Sequence, residues 1–113
     1  MILFVDDMKK PSWYGINMYN VHHATTYEDA KYFMDRNIYD MIYLDHDLGS
    51  ISADGSNLLQ YYIQLRRQKS FKVVCISWNP IGIERIKAVC EEYNIPFELA
   101  NHDNVPTIKG QNG

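Results

Sequence analysis

The chain carries only two cysteines, Cys75 in "KVVCIS" and Cys90 in "IKAVCEEY". Two thiols in apolar, periodic surroundings make neither a disulfide framework nor a metal knuckle, so both read as reduced, buried and structural. Unbroken aliphatic runs are also scarce. The longest is a few residues, far short of the ~20 that cross a bilayer, which excludes a membrane span. No leader pattern precedes the first apolar run, so a soluble, cytoplasmic protein is expected. Positive charge is equally thin: 11 basic against 14 acidic residues give a formal net charge of -3, and no basic run is longer than Arg66-Arg67. Binding along duplex nucleic acid needs a dense positive face and is excluded. A nucleic-acid end held in a pocket stays open. What remains is 113 residues, 46% of them hydrophobic, enough for one compact domain with a single core.

"ILFV", residues 2 to 5, is a short apolar run of the kind a buried parallel strand shows, and it stops at Asp6-Asp7. "MKKPSWYGINM" follows with Pro11 and Gly15 and no helical period, so the first crossover is expected to lack a regular helix. A second strand is predicted over Tyr19 to Ala24. The next helix lies in "TTYEDAKYFMDRN", with Thr25 and Glu28 at capping-box spacing and Ala30, Phe33 and Met34 as its apolar face. "YDMIYLD" is the third strand, and "SNLLQYYIQLRRQK" the next helix. Its Leu58, Leu59, Tyr62 and Ile63 share one face, and Arg66, Arg67 and Lys69 stand near its C-terminal end. "FKVVCIS" is the fourth strand. "NPIGIERIKAVCEEYN" is a helix capped by Asn79 and Pro80, with Ile83, Ile86, Cys90 and Tyr93 inward. "PFELA" is a weak fifth strand.

This βα alternation predicts a single-domain, doubly wound α/β fold with a parallel five-stranded sheet over residues 1–100, order 2-1-3-4-5, and a polar tail over 101–113. Ligands of such sheets bind at the carboxyl ends of the strands. Asp6 and Asp7, then Asp45, His46 and Asp47, then Ser77, Trp78 and Asn79 all fall at that edge.

Carboxylates crowded together repel, and a proton or a cation must relieve them. Oxygen ligands at this density suit Mg²⁺ or Mn²⁺, with Asp6, Asp7, Asp45 and Asp47 as candidate ligands. Each of these aspartates also has a plain reading as a turn or cap residue. His46 is either a general acid or base, or a ring that strand alternation turns away from the metal. His22 and His23, without acidic neighbours in sequence, read as packing residues. Ser77 can hydrogen-bond a phosphoryl oxygen, and no nucleophile motif surrounds it. Asn79 reads as a cap first and a ligand contact second. The backbone of "SWNPIG", through Gly82, offers N–H groups to an anion. Arg85, Lys9 and Lys10 are candidate phosphate partners. Trp78, Trp13 and Tyr14 offer either packing or a stacking surface.

The acidic pair, the aspartate ending "DMIYLD", the downstream Asp54-Gly55 and the hydroxyl of Ser77 resemble the receiver domain of response regulators. More closely, "FVDDMKKP", "YLDHDLG" and "SWNPIGIERI" resemble the receiver-like family described as cyclic-phosphate-processing, with its DD-x-R-x-P, LDHDL and HS-x-NP-x-G motifs, over roughly residues 2 to 90. The resemblance implies Mg²⁺ on Asp6, Asp7 and Asp45, and a phosphate pocket lined by Asp47, His46, Ser77 and Asn79. Three departures stand out. "PFELANHD" offers no counterpart to the lysine that receivers carry after their fifth strand, Lys109 lying far out in the tail. Lys9 or Lys10 stands at the basic position of the first motif, and Ile76 where a histidine precedes Ser77.

The function expected is a metal-dependent phosphoesterase on a small or terminal phosphate, such as a cyclic phosphate of a nucleotide or RNA end. In that reading Asp45, His46 and Ser77 do the chemistry, and Lys9, Lys10, Ser77, Asn79, Gly82 and Arg85 hold the phosphate. The alternatives are a signalling receiver phosphorylated on Asp45 and a non-catalytic module that binds a protein partner.

Overall fold

In the computed structural model, residues 1–49, 53–65 and 70–106 are described. Five parallel strands run in the order β2-β1-β3-β4-β5. They are β1 (Ile2–Val5), β2 (Val21–Ala24), β3 (Met41–Leu44), β4 (Lys72–Cys75) and β5 (Phe97–Leu99). Three helices, α1 (Tyr27–Arg36), α2 (Gly55–Leu65) and α3 (Pro80–Glu92), connect β2 to β5. The β1–β2 crossover carries only two short 3-10 turns, Pro11–Tyr14 and Met18–Asn20. The regular helix that Pro11 and Gly15 argue against is absent there.

Strand alternation divides the core in two. Leu3, Val5, Ile42, Leu44, Val73 and Cys75 face one side and pack with Ala30, Met34, Leu58, Leu59, Tyr62, Ile86 and Cys90 of the helices. Phe4 and Ile76 face the other side, where Ile16 and Tyr14 of the crossover cover them together with Tyr43. The winding therefore uses both faces of the sheet, with three helices on one and an irregular strap on the other. Burying each such Leu or Ile side chain contributes roughly 1.5–3 kcal/mol. The two cysteines are free and buried. Burial pushes the thiols of both up to about 11, which leaves them protonated and unreactive.

The sequence expectations fail at a few ends. Tyr19 and Asn20 belong to a turn rather than to β2, because the Asn17 side chain accepts the Tyr19 N–H at 2.9 Å and curls the chain before the strand begins. Helix α1 is capped by Thr26, whose hydroxyl accepts the Asp29 N–H at 3.0 Å, one residue later than the Thr25 spacing implied. Tyr93 is 45% exposed, because it sits past the last turn of α3 where Asn94 adopts φ 56 and redirects the chain. Arg66, Arg67, Lys69 and Lys109 lie outside the described residues.

Candidate functional site

Parallel register builds the site. Val5 pairs with Leu44 and Leu44 with Cys75, so β1, β3 and β4 end level with one another. The ladder continues one step further, as the Asp45 N–H donates to the Val5 carbonyl at 3.1 Å and Ile76 N–H to the Leu44 carbonyl at 3.0 Å. Asp6 and Asp45 are thereby held side by side. One carboxylate oxygen from each of Asp6, Asp7 and Asp45 lies within 4.8 Å of the others. Asp6 and Asp45 are fully buried and Asp7 is exposed.

The two buried carboxylates are compensated unequally. Asp6 Oδ1 accepts the N–H groups of Met8 at 2.8 Å and Lys9 at 3.1 Å, and Oδ2 accepts from Lys9 Nζ at 3.0 Å. Lys9 is itself fully buried, with Nζ 4.6 Å from the centre of the Trp78 ring, a cation–π contact in a dry setting. Among the described residues, Asp45 Oδ1 accepts only the His46 N–H, at 2.9 Å, and its buried Oδ2 has no partner. Burial, and after it the Asp6 charge, push the Asp45 carboxyl up to about 8 against the pull of Lys9. Burial and Asp6 raise Asp7 as well. Fully ionised, three carboxylates against one ammonium leave a local charge of about -2. A hard divalent cation is the group that such an oxygen set fits, and the partnerless Asp45 Oδ2 is the atom it would satisfy.

The remaining candidates divide. Ser77 joins the edge: it is buried, and its Oγ accepts the Asn79 N–H at 3.1 Å. Asn79 is the α3 cap, its Oδ1 accepting from Ile81 N–H at 3.0 Å. Asp47 does not enter the carboxylate group. Strand β3 has ended by then, and Asp47 Oδ1 accepts the Gly49 N–H at 3.1 Å in a turn that Gly49 closes at φ 75. His46 turns the other way. Its Nε2 lies 3.1 Å from Asp54 Oδ2 without the alignment of a hydrogen bond, and its ring is seated on α3, where a Cβ at Gly82 would come within 2.5 Å of it. Gly82 therefore serves close packing of His46. Arg85 reaches the same Asp54 Oδ2 at 3.7 Å and is 61% exposed, and Lys10 is exposed at the start of the first 3-10 turn. His22 stacks on Phe33 and His23 bonds the Asp6 carbonyl at 2.9 Å, both in packing roles.

The role of Asp54 and the residue His102 escape the sequence reading. Asp54 caps α2, accepting from Ser56 Oγ at 2.6 Å and Asn57 N–H at 3.1 Å. Burial acts to raise its carboxyl, and those bonds with the nearby His46 outweigh it, holding Asp54 below the usual carboxylate range. The Asp-Gly-Ser punctuation was the available signal. Gly55 follows because a Cβ there would drive into the Asp45 carbonyl. The second is His102, from the polar segment after β5. Its ring meets Trp78 edge-on at 5.4 Å, and its Nδ1 lies 3.0 Å from the Tyr14 hydroxyl. Nothing in the local sequence marks it.

The model of the cyclic-phosphate processing receiver domain matches residues 1–92. The chain belongs to that family. Among solved structures, the receiver domain of NtrX from Brucella abortus is similar at a TM-score of 0.63 and 21% identity, covering 88% of this chain and 84% of that one. A CheY-like receiver domain protein from Methanospirillum hungatei gives 0.62 and 16%, covering 87% and 78%. One from Methylobacillus flagellatus gives 0.59 and 19%, covering 86% and 83%. These likenesses show the receiver fold. No curated protein matches the sequence. Among the described residues no helix is long and apolar enough to cross a membrane. Of the two adjacent lysines, Lys9 is the one whose ammonium lies against Asp6, at 3.0 Å.

Proposed function

We propose that this domain opens or hydrolyses a phosphoester, with a cyclic phosphate on a nucleotide or RNA end as the substrate class and Mg²⁺ or Mn²⁺ held by Asp6, Asp7 and Asp45. The observation that carries this reading is the buried, partnerless Asp45 Oδ2 beside two further carboxylates. The family's description supplies the substrate class. When bound, the ion neutralises the carboxylates and polarises a phosphoryl oxygen. The protein's own groups do the rest. Lys9 Nζ, one of whose donors is spent on Asp6, directs its remaining positive charge at the anion. Ser77 Oγ orients a second oxygen. Trp78 covers the Lys9 ammonium and keeps water from it, which strengthens its attraction for phosphate.

A second reading, transfer of a phosphoryl group to Asp45 itself, is favoured by the same Lys9, which gives this pocket the cation that receivers use. One pair of assays separates the two. The phosphoesterase reading expects metal-dependent hydrolysis of nucleosides whose phosphate bridges neighbouring ribose hydroxyls, abolished by Asp45→Asn. The receiver reading expects an acid-labile mass gain from a small phosphodonor, also abolished by Asp45→Asn, and no hydrolysis. A wild-type protein inert in the first assay refutes the first reading.

A further inference from the structure

If a proton must move during that reaction, His46 is poorly placed to carry it. Its Nε2 is buried 3.1 Å from Asp54 Oδ2, and the rest of its ring is pressed on Gly82. We propose that His102 is the proton-transferring residue of the site, its Nδ1–H donated to the Tyr14 oxygen and its Nε2 presented to the substrate; this rests on the phosphoesterase reading above.

Three observations converge on it. His102 Nδ1 is held by Tyr14 at 3.0 Å, which fixes one nitrogen and orients the ring. The ring leans on Trp78, the same indole that carries the Lys9 ammonium 4.6 Å from its centre, so the imidazole borders the pocket that would hold phosphate. Tyr14 is itself fixed by packing on Phe4 and Tyr43, and burial first, then the charges of Asp6 and Asp45, raise its hydroxyl, which keeps it a phenol able to accept from Nδ1–H. Among the described residues, the charged and titratable groups that act on His102 are Tyr14 and Lys9. Burial first, then Lys9, lower the imidazole below the ordinary histidine value, so it is neutral at pH 7 and able to accept a proton. His102 lies beyond residues 1–92, where the family match ends, and Ile76 stands where the family's motif has its second histidine.

The step balances. Water attacks phosphorus and its oxygen–phosphorus bond forms as Nε2 takes the water's proton. The bond from phosphorus to one ribose oxygen breaks, and the imidazolium returns the proton to that oxygen. One water is added across one ester bond, and no electrons are transferred.

Two measurements on the full chain test it. Nitrogen-15 NMR of the imidazoles at neutral pH, without metal, should find the His102 proton on Nδ1, and Tyr14→Phe should disturb that tautomer; a proton on Nε2 overturns the base role. In hydrolysis of the bridged-phosphate nucleosides, with Mg²⁺ kept saturating at every pH so that proton competition at Asp45 does not shape the profile, His102→Gln should lower the rate by ~10²–10⁴-fold and abolish the fall in rate on the acid side, while Mg²⁺ and inorganic phosphate still raise the melting temperature. A His102→Gln protein that keeps its rate and its acid limb overturns the assignment and leaves the phosphoesterase reading standing. A wild-type protein without hydrolysis takes both down.

Discussion

The Asp45→Asn variant should be more stable than the wild type when divalent cations are absent, by a margin that grows with pH. The folded chain keeps the Asp45 proton up to about pH 8, whereas the ordinary carboxyl value in the unfolded chain is 3.8. Because the folded value is the higher one, protonation stabilises the fold. That stability is complete below pH 3.8 and drains away as the pH climbs through about 8. Each unit of pH inside that window removes about 1.4 kcal/mol, so roughly 4 kcal/mol is gone by pH 7. Asparagine retains an oxygen for the His46 N–H, which Asp45 now serves at 2.9 Å, and places no charge beside Asp6. In chelator-containing buffers from pH 4 to 8.5, the wild-type melting temperature should fall with rising pH and that of Asp45→Asn should fall less. The gap should vanish near pH 4 and reach on the order of 10 °C at the alkaline end. Parallel curves, or a wild type that melts higher at pH 8, would refute the electrostatic account of the pocket.

Other changes probe the same pocket. Lys9→Met leaves the fully buried Asp6 carboxylate without its cation and should cost about 3–5 kcal/mol in denaturant unfolding near neutral pH. Gly55→Ala puts a methyl group into the Asp45 carbonyl and should cost about 1–3 kcal/mol, measured in the same way. His46→Gln removes the ring contact to Asp54 at 3.1 Å and should lower stability while leaving the response to Mg²⁺ in place, since His46 meets the carboxylate group only through its backbone N–H, which the variant keeps. A lost Mg²⁺ response in that variant would return His46 to the site.

Much of this architecture was legible because the strands are short apolar runs that stop abruptly at charge. "ILFV" ending in Asp6 and "MIYL" ending in Asp45 define both the strands and the edge where they meet. Helical period was enough for α1, α2 and α3, since each buries one face on the same side of the sheet. The failures are local competitions that periodicity does not encode. Asn17 captures a backbone N–H and shortens β2, and Thr26 outcompetes Thr25 as a cap. Asp47 lies two residues from Asp45 and would share its direction only if the strand continued, which it does not. His46 was read with both fates open, and the space left by Gly82 decides for packing. Lys9 and Lys10 were indistinguishable in sequence, whereas the turn after β1 buries the first against Asp6 and exposes the second. The contact of His102 with Tyr14 spans 88 residues, and no local pattern announces it.

The most direct test of the account is calorimetric titration of the metal-free full chain with Mn²⁺ at pH 8, repeated on Asp45→Asn. The account predicts one ion bound per wild-type chain, affinity that weakens as the pH is lowered through the Asp45 titration, and no binding by the variant. No saturable heat from the wild type, or an Asp45→Asn protein that binds Mn²⁺ as tightly, would contradict it.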